Sequence, residues 1–472
     1  MPFLVLTLCL ALGVWSVIAL VRGSVFLSTA LFLVSTSCLP AEFFAVDAAS
    51  LTWTLDRFWF LLLAAQVAIQ WYRGELVLNR LENVDVTIGL FALWLVARTM
   101  TQPLGAVLPG QPPTLMHLIN GYLIPFALYA ALRTARLDVA KLKPALYLLI
   151  AMGCYLSLTA FLESAKLWSF VFPHFISDPA LGIHFGRARG PMLQSVRLGI
   201  CIIACWLPAI LFTIWLNPGS RERMMLAAFV TPLMWGAAFL TLTRSIWMGL
   251  GLVICILVYF CLKGLPQRIA IVSILFGALG VLVLKGPELV AFKREYSAAE
   301  TRESTYMRAA FAYVSLEMIK DRPVSGFGFN QFQVYNRPYL SDRSTDIRLE
   351  SIRGYVHHNS FLSLMVDLGI VGFALFTFVG MAACQQAMAL WRNEEAPQWA
   401  RGLAIILLCM GGVHLIQMAF HEVSFSSIEN GFLFSAVGLV VAANQQFRSS
   451  AARSTCQQSD AMDLAMNSNQ NH

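Results

Sequence analysis

The chain has 472 residues, 58% of them hydrophobic and only 12% charged, with a mean hydropathy of +0.67. So few charges cannot solvate a soluble fold of this size, so the bilayer must be the main solvent. The formal charge is +7, and the basic residues sit singly or in small groups between apolar runs, which argues against a nucleic-acid partner and for a topology signal in the membrane.

Apolar runs of about twenty residues, the length that crosses a hydrocarbon core, recur along the whole chain. In order they predict helices near 1–20, 24–40, 52–71, 84–98, 113–132, 144–162, 193–216, 224–241, 245–262, 268–285, 358–380, 401–420 and 430–444. That makes about thirteen, or about twelve if the first two, joined only by Val21-Arg22-Gly23, form a re-entrant pair. The opening run lacks a basic flank and reads as a retained helix, not a cleaved signal peptide. Most of the cysteines lie in apolar segments and none forms a CxxC pair, so neither a disulfide framework nor a zinc site is indicated. The expected fold is an all-α polytopic bundle, one membrane domain over 1–448, followed by a polar tail at 449–472 whose Ser/Gln/Asn-rich composition predicts disorder.

Every second short connection is basic: Arg22; Arg73 and Arg80; Arg133, Arg136, Lys141 and Lys143; Arg221 and Arg223; Lys263 and Arg268; Arg392 and Arg401; then Arg448 and Arg453. The positive-inside rule assigns these to the cytoplasm. The other side, which in a bacterium is the periplasm, then carries a loop at about 163–192 and a long loop at about 286–356. The stretch Thr305–Ile319 spaces Met307, Ala310, Phe311, Val314 and Met318 as one helical face, so the long loop should be ordered.

Arginines near hydrocarbon are costly and call for a function where no cytoplasmic anchor explains them. Arg187 and Arg189, with Arg197 just beyond, form one such group; Arg244 opens a helix; Arg308 lies in the long loop; Arg337, Arg343, Arg348 and Arg353 lead into a histidine pair. A guanidinium keeps its charge and grips phosphate through two parallel hydrogen bonds, and a helix start adds backbone donors. The competing reading for each is an interfacial anchor, or a partner for Glu295, Glu300 or Glu303. His357 and His358, followed by Asn359, stand where the long loop re-enters an apolar helix. An imidazole there suits a general base for a sugar hydroxyl; the competing reading is a buried histidine that pins the loop end. His421-Glu422 repeats the theme at another helix end.

Several segments resemble the bacterial O-antigen ligase and O-antigen polymerase superfamily of membrane glycosyltransferases. His358-Asn359-Ser360-Phe361-Leu362 with Gly369-Ile370-Val371-Gly372 is similar to its His-Asn-x-x-Leu, Gly-x-x-Gly signature. Asp321-Arg322-Pro323-Val324-Ser325-Gly326-Phe327-Gly328, preceded by Arg308, resembles its Asp-x-Pro-x-x-Gly-x-Gly segment. Arg187-Ala188-Arg189-Gly190 and Thr243-Arg244-Ser245-Ile246-Trp247 are similar to its arginine segments, whereas Gln194-Ser195-Val196 replaces an Asn-Pro-Asn-like stretch. The resemblance implies a glycan donor on undecaprenyl diphosphate, a lipid, glycan or protein acceptor, and transfer with no nucleotide sugar, cofactor or obligatory metal. It implies catalytic roles for His358 as base and for Arg187 and Arg244 on the diphosphate, with Arg308 assisting and Arg189, His357 and Asn359 in substrate contact. A polymerase extending the glycan on its own carrier, or a transporter of lipid-linked saccharides, are the alternatives. Paired catalytic carboxylates of the hydrolase kind are not evident.

Overall fold

The computed structural model describes residues 23–48, 51–77, 80–109, 111–183, 185–216, 219–276 and 298–469, with isolated positions 13, 14, 17 and 20. Most of the helix expected at 1–20, the second half of the one at 268–285, Glu295, and the side chains of Glu300 and Glu303 lie outside these residues.

The architecture is all-α. Among the described residues nine helices are long and apolar enough to cross a membrane. They are α3 (Asn83–Met100), α4 (Thr114–Arg133), α5 (Val139–Ser164), α6 (Ser195–Ile214), α7 (Ser220–Leu240), α8 (Arg244–Cys261), α11 (Ser360–Arg392), α12 (Gln398–Phe420) and α13, whose apolar part is Ser427–Arg448. Two shorter apolar helices, α1 (Val25–Cys38) and α9 (Leu265–Phe276), stand beside them. The segment expected at 52–71 forms α2 (Leu55–Tyr72), where Asp56, Arg57, Gln66 and Gln70 interrupt the apolar run. Before it, β1 (Ala45–Ala48) and β2 (Leu51–Thr54) pair as an antiparallel hairpin. The helix α13 continues to Asn469, through the tail whose composition predicts disorder.

Prolines shape the spans through the donors they lack. Pro125 cannot donate to the carbonyl of Gly121, the chain widens into a π turn at Ile119–Leu123, and the freed oxygen accepts from Asn430 Nδ2 of α13 at 2.7 Å. In hydrocarbon such a carbonyl has to find a protein donor, so the proline also fastens α4 to α13. At the end of the bundle remote from the histidine pair, Arg133 closes a buried network: its Nε lies 2.5 Å from Asp85, which also accepts from Tyr129 at 2.6 Å.

The long loop has its own core. Helix α10 (Ala298–Asp321) buries Ala310, Phe311, Val314 and Met318, the face expected from the sequence, against Phe327, Phe332, Leu340, Leu349, Ile352 and Val366 of α11. What seats it is a break in α11: Gly369 adopts φ 68° and ψ −173°, a conformation essentially reserved for glycine. The break frees carbonyls, and the loop supplies donors. Phe327 N–H binds Val366 O (2.8 Å), Gly328 N–H binds Asp367 O (2.8 Å), and Trp94 Nε1 of α3 binds Leu368 O (3.0 Å). In return Ile370 N–H donates to Pro323 O at 2.8 Å. A Cβ on Gly326 would stand 2.5 Å from the Asp367 carbonyl, and one on Gly369 would overlap the Val324 carbonyl. The two glycine-rich motifs are therefore halves of one joint.

Candidate active site

Four chain turns meet at one end of the bundle. The first carries Arg187 and Arg189. Glu163, near the end of α5, accepts from the backbone N–H groups of Arg189 (3.2 Å) and Gly190 (2.8 Å), and Ala188 N–H donates to Leu240 O at 3.4 Å. Arg189 is fully buried: its guanidinium binds the carbonyls of Ile176 (2.8 Å), Asp178 (2.6 Å) and Leu181, and its cation lies 4.7 Å from the Phe185 ring centre. Its guanidinium is thus wrapped in its own loop, with its terminal nitrogens on backbone carbonyls. Arg187 is half-buried beside it.

The second turn joins α7 to α8 and sets Arg244, which is exposed at the helix start. Leu242 takes φ 48°, Thr243 Oγ1 donates to Thr241 O at 3.0 Å, and Trp247 stacks on Phe239 at 4.7 Å, which makes the turn tight and stapled. Gly199 of α6 meets the side chain of Ile246, where a Cβ would approach to 2.6 Å. Gly199 thus packs α6 against the start of α8, while Ala188 N–H ties the Arg187 turn to the end of α7.

The third turn bears the histidines. His357 is 2% exposed and has both ring nitrogens engaged: Nε2 lies 2.5 Å from Ser315 Oγ, and Nδ1 accepts from Asn359 N–H at 3.3 Å. Ser315 already gives its hydroxyl proton to Phe311 O at 2.6 Å, so these partners assign the His357 proton to Nε2. Burial pulls its pKa down to about 3, helped by His358 and opposed by the Asn359 hydrogen bond. Asn359 caps α11, its Oδ1 accepting from Leu362 N–H (3.0 Å) and its Nδ2 donating to Ala419 O (3.0 Å). His357 thus pins the loop, and Asn359 builds the helix start.

His358 is exposed. Its ring faces Phe311 at 5.2 Å. Partial desolvation lowers its pKa below the ordinary histidine value, a hydrogen bond with the His357 backbone opposes this, and the charge on Arg308 lowers it further. The helical face of α10 explains the pairing, since Arg308, Phe311 and Ser315 fall at i, i+3 and i+7 and meet the two histidines in order. Arg308 is itself exposed, with its guanidinium 5.9 Å from the Phe420 ring centre.

The fourth turn, after α12, joins the others. His421 Nε2 lies 3.0 Å from Ser245 Oγ, next to Arg244. Ser360, the first residue of α11, accepts from Val423 N–H (2.9 Å) and donates toward His421 O (3.0 Å) and Glu422 Oε1 (3.1 Å). His421 therefore links the helix start that carries Arg244 to the one that follows His358. Its position before a short polar turn at a helix end was the only hint in the sequence. Other candidates are committed elsewhere: Arg197 pairs with Glu429 at 3.6 Å, and Arg343 and Arg353 both approach Glu350, at 3.9 and 2.8 Å.

Exposed or half-buried guanidiniums on adjoining turns, with an exposed imidazole beside one of them, have the chemistry to bind an anionic headgroup and accept a proton. Residues 227–377 match the family described as O-antigen ligase, and none of the curated proteins matches the chain. The matched region takes in Arg244, Arg308, His358 and the jointed glycine motifs, while Arg187 lies before it. Together with the polytopic helical fold, this match over residues 227–377 supports the O-antigen ligase and polymerase superfamily.

Proposed function

We propose that the chain is a ligase-type glycosyltransferase that moves a glycan from an undecaprenyl-diphosphate carrier to an acceptor hydroxyl at the periplasmic face of the inner membrane. His358 takes the proton of the acceptor hydroxyl; the acceptor oxygen forms a bond to the anomeric carbon as the bond from that carbon to the diphosphate oxygen breaks. Undecaprenyl diphosphate leaves with one more negative charge than it carried in the donor. Arg187, Arg244 and Arg308 meet that growing charge, so they stabilise the transition state more than the bound donor. One base opposite one leaving group corresponds to a single displacement with inversion.

The observation that carries the reading is the division of labour between adjacent histidines: His357 is locked and buried, while His358 is neutral, exposed and next to the Arg308 charge. The test is transfer from a defined lipid-linked donor. His358→Ala should lower the rate by about 10²–10⁴-fold with membrane insertion intact. Wild-type transfer by that variant would remove the base. A deletion strain separates ligase from polymerase: accumulated lipid-linked chains mark lost ligation, and single units left on the acceptor mark lost polymerisation.

A further inference from the structure

Helix α1 has only 14 residues, about 21 Å of helix against a hydrocarbon core of about 30 Å. At the site-bearing end its length is made up by non-helical chain. The hairpin β1–β2 follows α1, and the loop after α5 folds back to meet it: Tyr155 OH donates to Phe172 O at 2.7 Å. Tyr155 lies nine residues before Ser164, the last residue of α5, so the loop turns back along the final turns of that helix. The loop thus runs down beside a membrane span, where Phe172 packs edge-on against Phe43, ring centres 6.0 Å apart.

The outer surface of this layer is apolar. Phe43, Phe44, Val46, Trp53, Phe170 and Phe172 are all exposed, Phe170 at 72%. Leu158 and Phe161, exposed on α5 itself, carry the same apolar surface into the span. A patch of this kind facing water is unusual. Depth, continuity with α5 and aromatic content all select one occupant.

We infer that the β1–β2 hairpin and the 167–173 loop form an interfacial anchor, seated among the lipid headgroups of the leaflet at the site-bearing end. The hairpin pairs its own backbone, Ala45 with Thr54 through Ala48 with Leu51, but its open edges exclude the acyl core and confine it to the interface. Aromatic rings are the side chains that settle at that level. The anchored loop continues through the Trp168–Phe185 stack, 5.4 Å between ring centres, to the buried Arg189 and so holds the Arg187 turn at the membrane surface.

The experiment is photocrosslinking of the full chain in vesicles of phosphatidylethanolamine and phosphatidylglycerol. Benzoylphenylalanine replaces Phe44, Phe170 or Phe172 one at a time, with Phe161 as the lipid-facing reference and Tyr355, exposed on the other loop, as the aqueous one. Lipid adducts at the three anchor positions should come within about twofold of Phe161 and exceed Tyr355 by about tenfold. Adduct yields at the Tyr355 level, or crosslinks to a second copy of the chain in place of lipid, would overturn the anchor. Each replacement keeps an aromatic ring at an exposed position, so failure to fold does not cloud the result.

Discussion

His357 fills both its ring nitrogens with Ser315 and the Asn359 amide, whereas the ring of His358 stands exposed between Phe311 and the charge of Arg308. Acid should act on the two in different ways. With His358 as the proposed base, kcat/KM should rise with pH through its pKa and stay flat above the ordinary histidine value of about 6.5, since that pKa is lowered. His357, with a pKa of about 3 in the folded chain, is a buried neutral group; the undocked loop takes up a proton below about pH 6.5. Its contribution is therefore complete above that value and is lost progressively as pH falls toward the folded pKa. Hydrogen exchange of α10 should accelerate over that range, and His357→Gln should flatten the dependence; unchanged protection would deny the pin. Arg244→Lys should cost about 10²-fold in transfer, because an ammonium cannot reproduce a planar fork; full activity would leave Arg244 as an anchor only.

Between elements, the joint at Gly369 and the bridge at His421 make different predictions. Alanine at 369 must adopt a left-handed backbone and displace the Val324 carbonyl, so Gly369→Ala should destabilise loop docking by at least about 3 kcal/mol. Limited proteolysis of the loop would show it, with the spans still inserted. His421→Ala and Ser245→Ala remove the two ends of one contact. In a double-mutant cycle on the transfer rate their effects should be non-additive, with the double variant close to the worse single one. Strict additivity would mean that His421 does not act through the Arg244 helix. The sequence shows the glycine motifs and the Arg-x-x-Trp start as patterns, but each is complete only with a partner far along the chain: Gly326 with Gly369, Ser245 with His421, Gly199 with Ile246.

Across the whole molecule, the network of Asp85, Tyr129 and Arg133 ties α3 to α4 at the end remote from the site. Asp85→Ala would leave the Arg133 guanidinium buried without its carboxylate, at a cost of about 3–5 kcal/mol. Thermal unfolding in detergent should move accordingly, while a surface substitution such as Glu394→Ala should not. An unchanged midpoint for Asp85→Ala would show that water or lipid headgroups can replace the pair. Of the arginine groups read as ligand candidates, Arg308 lies beside the imidazole, Arg189 is wrapped by carbonyls of its own loop, and Arg197, Arg343 and Arg353 pair with carboxylates.

Hydropathy and periodicity are properties of neighbouring residues, and they sufficed for the all-α membrane fold, for the described spans to within a few residues at most ends, and for the buried face of α10. Which arginine is wrapped by its own loop, and which of two adjacent histidines is buried, depended on the packed chain. Hydrogen-bond partners such as Glu163 for the Arg189 turn, Ser315 for His357 and Ser245 for His421 lie 26, 42 and 176 residues away, a distance no local pattern spans.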